Sequence, residues 1–240
     1  MTAQRVGGVK KPAGVALVTG GAVRVGRAIA LALARAGLDV AVGYHRSARA
    51  ARATVGELRA RGAAAAAVRA DLRDAAAAAR LVEDVVARFG RLDVLVNGAA
   101  LFYRTPFRST TPAQYDDLLD LNLRGAFFCA QAAARHMRRG HIVNIGDGGA
   151  ERGAPGYLPY AVSKAGIVML THGLARELAP RIAVNCVAPG AVLRPPGYPL
   201  AKWERLRRGN AASAEDVARA VVFFATCPPS ITGQVLAVGR

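Results

Sequence analysis

The chain has 240 residues and a mass of 25.0 kDa, and 52% of the residues are hydrophobic, which allows one α/β domain with a large core and is short for two. Its 33 Lys and Arg against 16 Asp and Glu give a formal charge of +17, but the arginines are spread along the chain with no RNA-binding or helix-turn-helix pattern. Salt-sensitive adhesion to polyanions is expected, and specific nucleic-acid recognition is not. No signal-peptide layout or membrane span is visible: the longest uncharged stretch, 220–239, is broken by Pro228 and Pro229.

Residues 1–14 are basic and expected to be flexible. A first apolar strand at 15–19 runs into Thr19-Gly20-Gly21-Ala22-Val23-Arg24-Val25-Gly26, which opens a helix ending near Gly37. Glycines here allow a tight turn that brings backbone N–H groups close to a pyrophosphate at the positive end of a helix. A second strand, 39–43, ends in Tyr44-His45-Arg46-Ser47. An NAD-preferring site usually has Asp or Glu at this point to hold the ribose 2′-OH, and none is present. With Arg24 opposite, His45, Arg46 and Ser47 suit a 2′-phosphate, so the expected cofactor is NADPH. After a third strand, 64–69, comes Asp71-Leu72, whose carboxylate either accepts from an adenine amino group or caps the next helix.

A fourth strand, 92–96, leads into Asn97-Gly98-Ala99-Ala100-Leu101-Phe102. Thr111-Pro112-Ala113-Gln114 is a helix-start signal, and a helix is expected over 112–138. A fifth strand, 141–145, ends two residues before Asp147; a helix over 157–179 carries Tyr160 and Lys164; a sixth strand covers 182–187. The stretch that follows Pro189-Gly190 is Pro-rich and irregular through Leu193 and Trp203, as expected of a substrate lid around 190–212. Ser213-Ala214-Glu215-Asp216 caps a last helix before a seventh strand at 234–238. Continuously apolar strands alternating with helices predict a single doubly wound, Rossmann-like α/β domain over 15–240, a seven-stranded parallel sheet with helices on both faces.

The chain has only four lysines, Lys10, Lys11, Lys164 and Lys202, and uses Arg elsewhere. An ammonium at Lys164, one turn from Tyr160 on the same helix face, is a compact charge that can bond a ribose diol and draw the phenol pKa below its usual 10. Asp147 lies upstream at a strand end, where it serves as a proton relay or as a cap of the Gly148-Gly149 turn. Cys129, Cys186 and Cys227 are odd in number and widely spaced, as buried thiols in a reducing cytoplasm would be. The four histidines have no ligand-like spacing, so no metal is expected.

From Val15 to Val238 the chain resembles the short-chain dehydrogenase/reductase family. The family pattern Thr-Gly-x3-Gly-x-Gly, Asn-Asn-Ala-Gly, helix Asn and Tyr-x3-Lys appears as Thr19 to Gly26, Asn97-Gly98-Ala99-Ala100, Asn122 and Tyr160/Lys164. Three departures agree with one another: Arg24 for the middle glycine, Asp147 for the usual serine, and Phe102-Tyr103 after the fourth strand. Together with Tyr157-Leu158-Pro159-Tyr160 they are similar to the pteridine reductase branch. The resemblance implies a catalytic set of Asp147, Tyr160, Lys164 and Asn122, with Asn122 positioning a water. It implies NADPH held by Gly20, Arg24 and Val25 in the first turn and by His45, Arg46 and Ser47 after the second strand. Asp71 and Leu72, Asn97 to Ala99, Lys164, Pro189 and Gly190 complete that set.

For the substrate, the resemblance implies a pterin between Phe102 and the nicotinamide, contacted by Arg24, Asp147, Tyr157, Tyr160, Leu193 and Trp203. A homotetramer is implied as well. The expected reaction is hydride transfer to a C=N bond of a dihydropterin or dihydrofolate. The alternatives are reduction of a ketone or 3-oxoacyl thioester, and a non-catalytic NADP-binding sensor.

Overall fold

The computed structural model describes residues 14–149, 153, 155–195, 197–208 and 211–239. Apart from Gly14, the segment expected to be flexible lies outside the described residues. Seven parallel strands, β1 (Val15–Thr19), β2 (Asp39–Tyr44), β3 (Ala65–Arg69), β4 (Val94–Asn97), β5 (Gly140–Ile145), β6 (Ile182–Pro189) and β7 (Val235–Val238), form one sheet in the order 3-2-1-4-5-6-7. The helices are α1 (Arg24–Arg35), α2 (Ala48–Ala60), α3 (Ala75–Phe89), α4 (Pro112–Leu119), α5 (Gly125–His136), α6 (Leu158–Glu177), α7 (Leu200–Arg207) and α8 (Ala214–Thr226).

Alternation along each strand divides the core into two layers. Ala16, Val18, Val40, Val42, Val143 and Val187 face α1, α2 and α8, where Ile29, Leu33, Leu58, Val217 and Phe224 are buried. Val15, Leu17, Ala41, Leu95 and Ile142 face the other way, onto Leu81, Val82 and Val85 of α3 and Cys129, Ala130 and Ala133 of α5. Because both faces are covered over β1, β2, β4, β5 and β6, these strands need no polar side, which is why they read as largely unbroken apolar runs, whereas β7 at the sheet edge is mostly exposed. The sheet's direction of growth reverses between β1 and β4, and that reversal opens a crevice at the carboxyl ends of these strands.

Local signals set several boundaries. Thr111 and Ser213 each close a capping box on α4 and α8, as expected. The α3 cap is Asp74, whose carboxylate accepts from Ala76 N at 2.8 Å, so Asp71 is not that cap. Two expectations need correction. The single helix expected over 112–138 is interrupted by a π turn, Asp120–Arg124, before α5, and the stretch expected to be irregular contains α7. The three cysteines are free and buried, and burial pushes the thiols of Cys129 and Cys186 up to about 12 and about 11. No helix among the described residues is long and apolar enough to cross a membrane.

Candidate functional site

At the crevice the β1–α1 turn is shaped by its glycines. Gly20 has φ +67°, and a Cβ there would lie 2.9 Å from Ala99 Cα; one on Gly26 would collide with Gly20 O. The α1 amino terminus has no side-chain cap and no acidic residue in its first turn, so its N–H groups suit an anion. Val25 is part of that first turn. Arg24 stands at φ +53°, the one positive φ of a non-glycine residue among the described residues. Its left-handed backbone costs about 1–2 kcal/mol. Its guanidinium reaches across the crevice and donates to Leu193 O at 2.9 Å and Arg194 O at 3.1 Å.

After β2, Arg46, Ser47 and Arg49 line an open cup of about 430 Å³ at the start of α2. Ser47 is the N-cap residue, yet its hydroxyl makes no capping bond, and no acidic residue lies in the first turn of α2. Three donors, an uncapped helix start and no carboxylate among the lining residues match a phosphate better than a ribose hydroxyl pair. His45 Nε2 is 3.8 Å from Asp71 Oδ2. Asp71 also accepts from Arg73 Nε at 2.9 Å and Nη2 at 2.6 Å, which holds its carboxyl down to about 2. Leu72 is buried beneath, in the α3 and α5 layer.

The end of β4 is pinned by residues that sequence reasoning passed over. Thr19 Oγ1 accepts from Gly98 N at 3.0 Å and Ala99 N at 3.2 Å, and a Cβ at 98 would lie 2.9 Å from Thr19 O. That close approach gives a physical reason for glycine where the family pattern has Asn. Asn97 donates to Asn144 Oδ1 at 2.9 Å, and Asn144 in turn donates to Thr171 Oγ1 at 2.9 Å, so the buried pair ties β4 to β5 and α6. Register places Asn97 opposite both Thr19 and Asn144, a signal available only once strand pairing is known. At the end of β6, Pro189 O accepts from Gly148 N at 2.9 Å and Gly190 N donates to Val238 O at 2.9 Å, which seats Pro189 and Gly190 beside the Asp147 turn.

Asp147, Tyr160 and Lys164 converge as expected. The Tyr160 hydroxyl donates to Asp147 Oδ2 at 2.7 Å, and Asp147 Oδ1 accepts from Gly149 N at 2.7 Å, so this carboxylate both caps its turn and meets the phenol. Lys164 is 4% exposed; its Nζ donates to Ile145 O at 2.8 Å and sits 6.0 Å from the centre of the Tyr160 ring. The expected acidic phenol is not what this geometry gives. Burial, and then the Asp147 carboxylate, push Tyr160 well above the usual phenol value, while burial draws Lys164 down. The nearest charge to the hydroxyl is negative, and desolvation also disfavours the phenolate. Tyr160 is therefore protonated at neutral pH, the form a proton donor needs.

Asn122 lies in the π turn, where it accepts from Leu101 N at 2.7 Å and donates to Leu101 O at 3.0 Å and Ser163 Oγ at 3.1 Å. Both amide hydrogens thus brace the loop after β4 against α6. Phe102 stacks on Tyr157 at 4.7 Å and 6°, and meets the edge of Tyr160 at 4.7 Å and 83°. One face of Phe102 is already covered by Tyr157, so a flat ligand has only the other. Trp203, expected at the substrate, is buried on α7 and makes its ring contacts with Tyr198 and Arg207. Among the described residues, no group of three or more His, Cys, Asp or Glu is placed to hold a metal ion.

Comparison with known proteins agrees with this fold. The short chain dehydrogenase family profile matches residues 14–204. A 3-oxoacyl-[acyl-carrier-protein] reductase FabG of Staphylococcus aureus is 42% identical over 182 residues, 74% of each chain. A 3-oxoacyl-[acyl-carrier-protein] reductase of Synechocystis is 37% identical over 93% of this chain and 94% of its own. The crystal structure of a short chain dehydrogenase from Burkholderia cenocepacia in complex with NADP superposes with a TM-score of 0.88 at 40% identity, covering 93% of this chain and 95% of that one. The Staphylococcus aureus and Synechocystis relatives carry the name of the 3-oxoacyl alternative and not of the pteridine reductase branch. On the profile, the identities and the fold together, the chain belongs to the short-chain dehydrogenase/reductase family.

Proposed function

We propose that this chain is an NADPH-dependent reductase acting on the keto group of a 3-oxoacyl thioester. The observation that carries the reductase reading is the Tyr160 hydroxyl bonded to Asp147 at 2.7 Å with buried Lys164 beside its ring. The names of the relatives support the thioester. The residues present fit the cofactor: the Gly20 turn and bare α1 start suit its pyrophosphate, and Arg46, Ser47 and Arg49 suit its 2′-phosphate. When bound, NADPH supplies the hydride. Tyr160 gives its proton to the oxygen that gains charge, Lys164 steadies the ribose and the phenol, and Arg24 anchors Leu193 and Arg194 of the lid.

One observation favours a second reading, reduction of a pterin C=N bond. A carboxylate instead of a hydroxyl faces Tyr160, and a carboxylate repels a forming alkoxide while it accepts readily from ring N–H or amino groups. The exposed apolar side chains Tyr115, Phe127, Val162 and Met169 on α4, α5 and α6 support assembly into a homotetramer. Such an enzyme would work in the cytoplasm.

NADPH oxidation with acetoacetyl-CoA and with dihydrobiopterin separates the readings. Thioester turnover that is retained or raised in Asp147→Ser is the expected result. Turnover of the dihydropterin alone, lost in Asp147→Ser, would replace the thioester with the pterin.

A further inference from the structure

A continuous chain of bonds joins Asp71, the residue expected to meet the adenine, to the loop that carries Phe102. Arg73 grips Asp71 through Nε at 2.9 Å and Nη2 at 2.6 Å, and its third guanidinium nitrogen, Nη1, donates to Asp117 Oδ1 on α4 at 2.9 Å. The hydroxyl of Tyr103 shares its one hydrogen between the other oxygen of Asp117, at 3.2 Å, and Gln114 O, at 3.0 Å. Tyr103 follows Phe102, and two residues on Thr105 donates from its N to Gly156 O at 2.7 Å, next to the Tyr157 ring on which Phe102 stacks.

Arg73 can hold two carboxylates at once because the planar guanidinium presents separate edges; a lysine at this position has no such fork. Side chains of Arg73, Asp71 and Asp117 are each about one-third exposed, at 34%, 34% and 31%. Solvent weakens each link, and the value of the chain lies in direction more than in stability. It fixes where α4 stands relative to β3, and so where the Phe102 loop stands relative to the start of α3.

We propose that Arg73 and Asp117 are positioning residues that act through Tyr103 to hold the Phe102 loop at a fixed distance from the adenine wall of the crevice. The strut sets substrate affinity without touching the reacting atoms, and cofactor seating against Asp71 is transmitted to the aromatic platform. This inference rests on the reductase reading of the site.

The test is a double-mutant cycle on Arg73→Gln and Tyr103→Phe, with kcat and KM taken on acetoacetyl-CoA and on dihydrobiopterin, whichever the wild type turns over. Each single variant raises substrate KM about five-fold with kcat held within about two-fold, and the double variant is no worse than Arg73→Gln alone. Arg73→Gln also weakens NADPH binding, because Asp71 loses its orientation, whereas Tyr103→Phe leaves NADPH affinity unchanged. Additive effects on KM, or a fall in Tm with no change in KM, would overturn the strut.

Should the wild type reduce neither compound, the reductase reading fails, and the strut is judged separately by hydrogen exchange of the amides of residues 102–105 in the protein without ligand. Faster exchange there in both Arg73→Gln and Tyr103→Phe supports it, and unchanged exchange in either variant overturns it.

Discussion

Around Tyr160, the polar groups already have protein partners: the hydroxyl on Asp147, Nζ of Lys164 on Ile145 O, and the amide of Asn122 on Leu101 and Ser163. Around the α2 start, the side chains of Arg46, Ser47 and Arg49 are close together, line one cup and have no recorded protein partner among the described residues. The first region is a finished constellation whose geometry is set before anything binds. The second is three donors waiting for an anion. The difference teaches that a change in the first should act mainly on rate and a change in the second on choice of cofactor, because the side chains of the second are held by nothing among the described residues until an anion binds.

The hardest blow to this contrast comes from Tyr160→Phe. It removes the proposed proton donor and leaves the cup intact, so turnover should fall by about a hundred- to ten-thousand-fold while NADPH affinity, followed by fluorescence titration, stays the same. Arg46→Ala should do the reverse, lowering the preference for NADPH over NADH by about ten-fold or more with kcat for NADPH near wild type. Equal losses of rate and of cofactor choice in both variants would erase the distinction.

A subtler probe is Arg24→Gly, which relieves the φ of +53° but cuts the bonds to Leu193 O and Arg194 O. These opposing changes should leave stability within about 1 kcal/mol by chemical denaturation, while substrate KM rises as the 190s segment loses its anchor. The smallest effect concerns Asp71. Its folded-state value, depressed from 3.8 to about 2 by Arg73, means the protein binds fewer protons there than the unfolded chain does. The stabilisation is present above about pH 4 and lost as pH falls through about 2, no more than about 1 kcal/mol after solvent screening. Arg73→Gln should therefore flatten the acid limb of an unfolding titration.

The seven strands, the phosphate turn and the two capping boxes were legible because each depends on a short window of sequence: apolar runs, glycine spacing, and a hydroxyl three residues before Gln or Asp. The meeting of Asp147 with Tyr160 was also legible, through their positions after a strand and on the next helix. What local reading missed needs distance or burial. The π turn at Asp120–Arg124 leaves no composition signal, and Arg24 meets residues 193 and 194 far along the chain. The direction of the Tyr160 shift reversed because spacing shows that a lysine is near, and only the folded surroundings show that the hydroxyl is partly desolvated and that the closest charge is a carboxylate. The Phe102 and Tyr157 stack likewise joins two loops that sequence order keeps apart.

The burial of all three cysteines has a practical side. With Cys129 and Cys186 shielded and their thiols weakly acidic, alkylating reagents and mild oxidants find almost no thiolate at these two positions of the native protein. Maleimide or iodoacetamide uptake then reports the rare opening of the core, so labelling rates become a clock for unfolding. A dye can be placed at any chosen surface position by adding one cysteine, with the native three left in place.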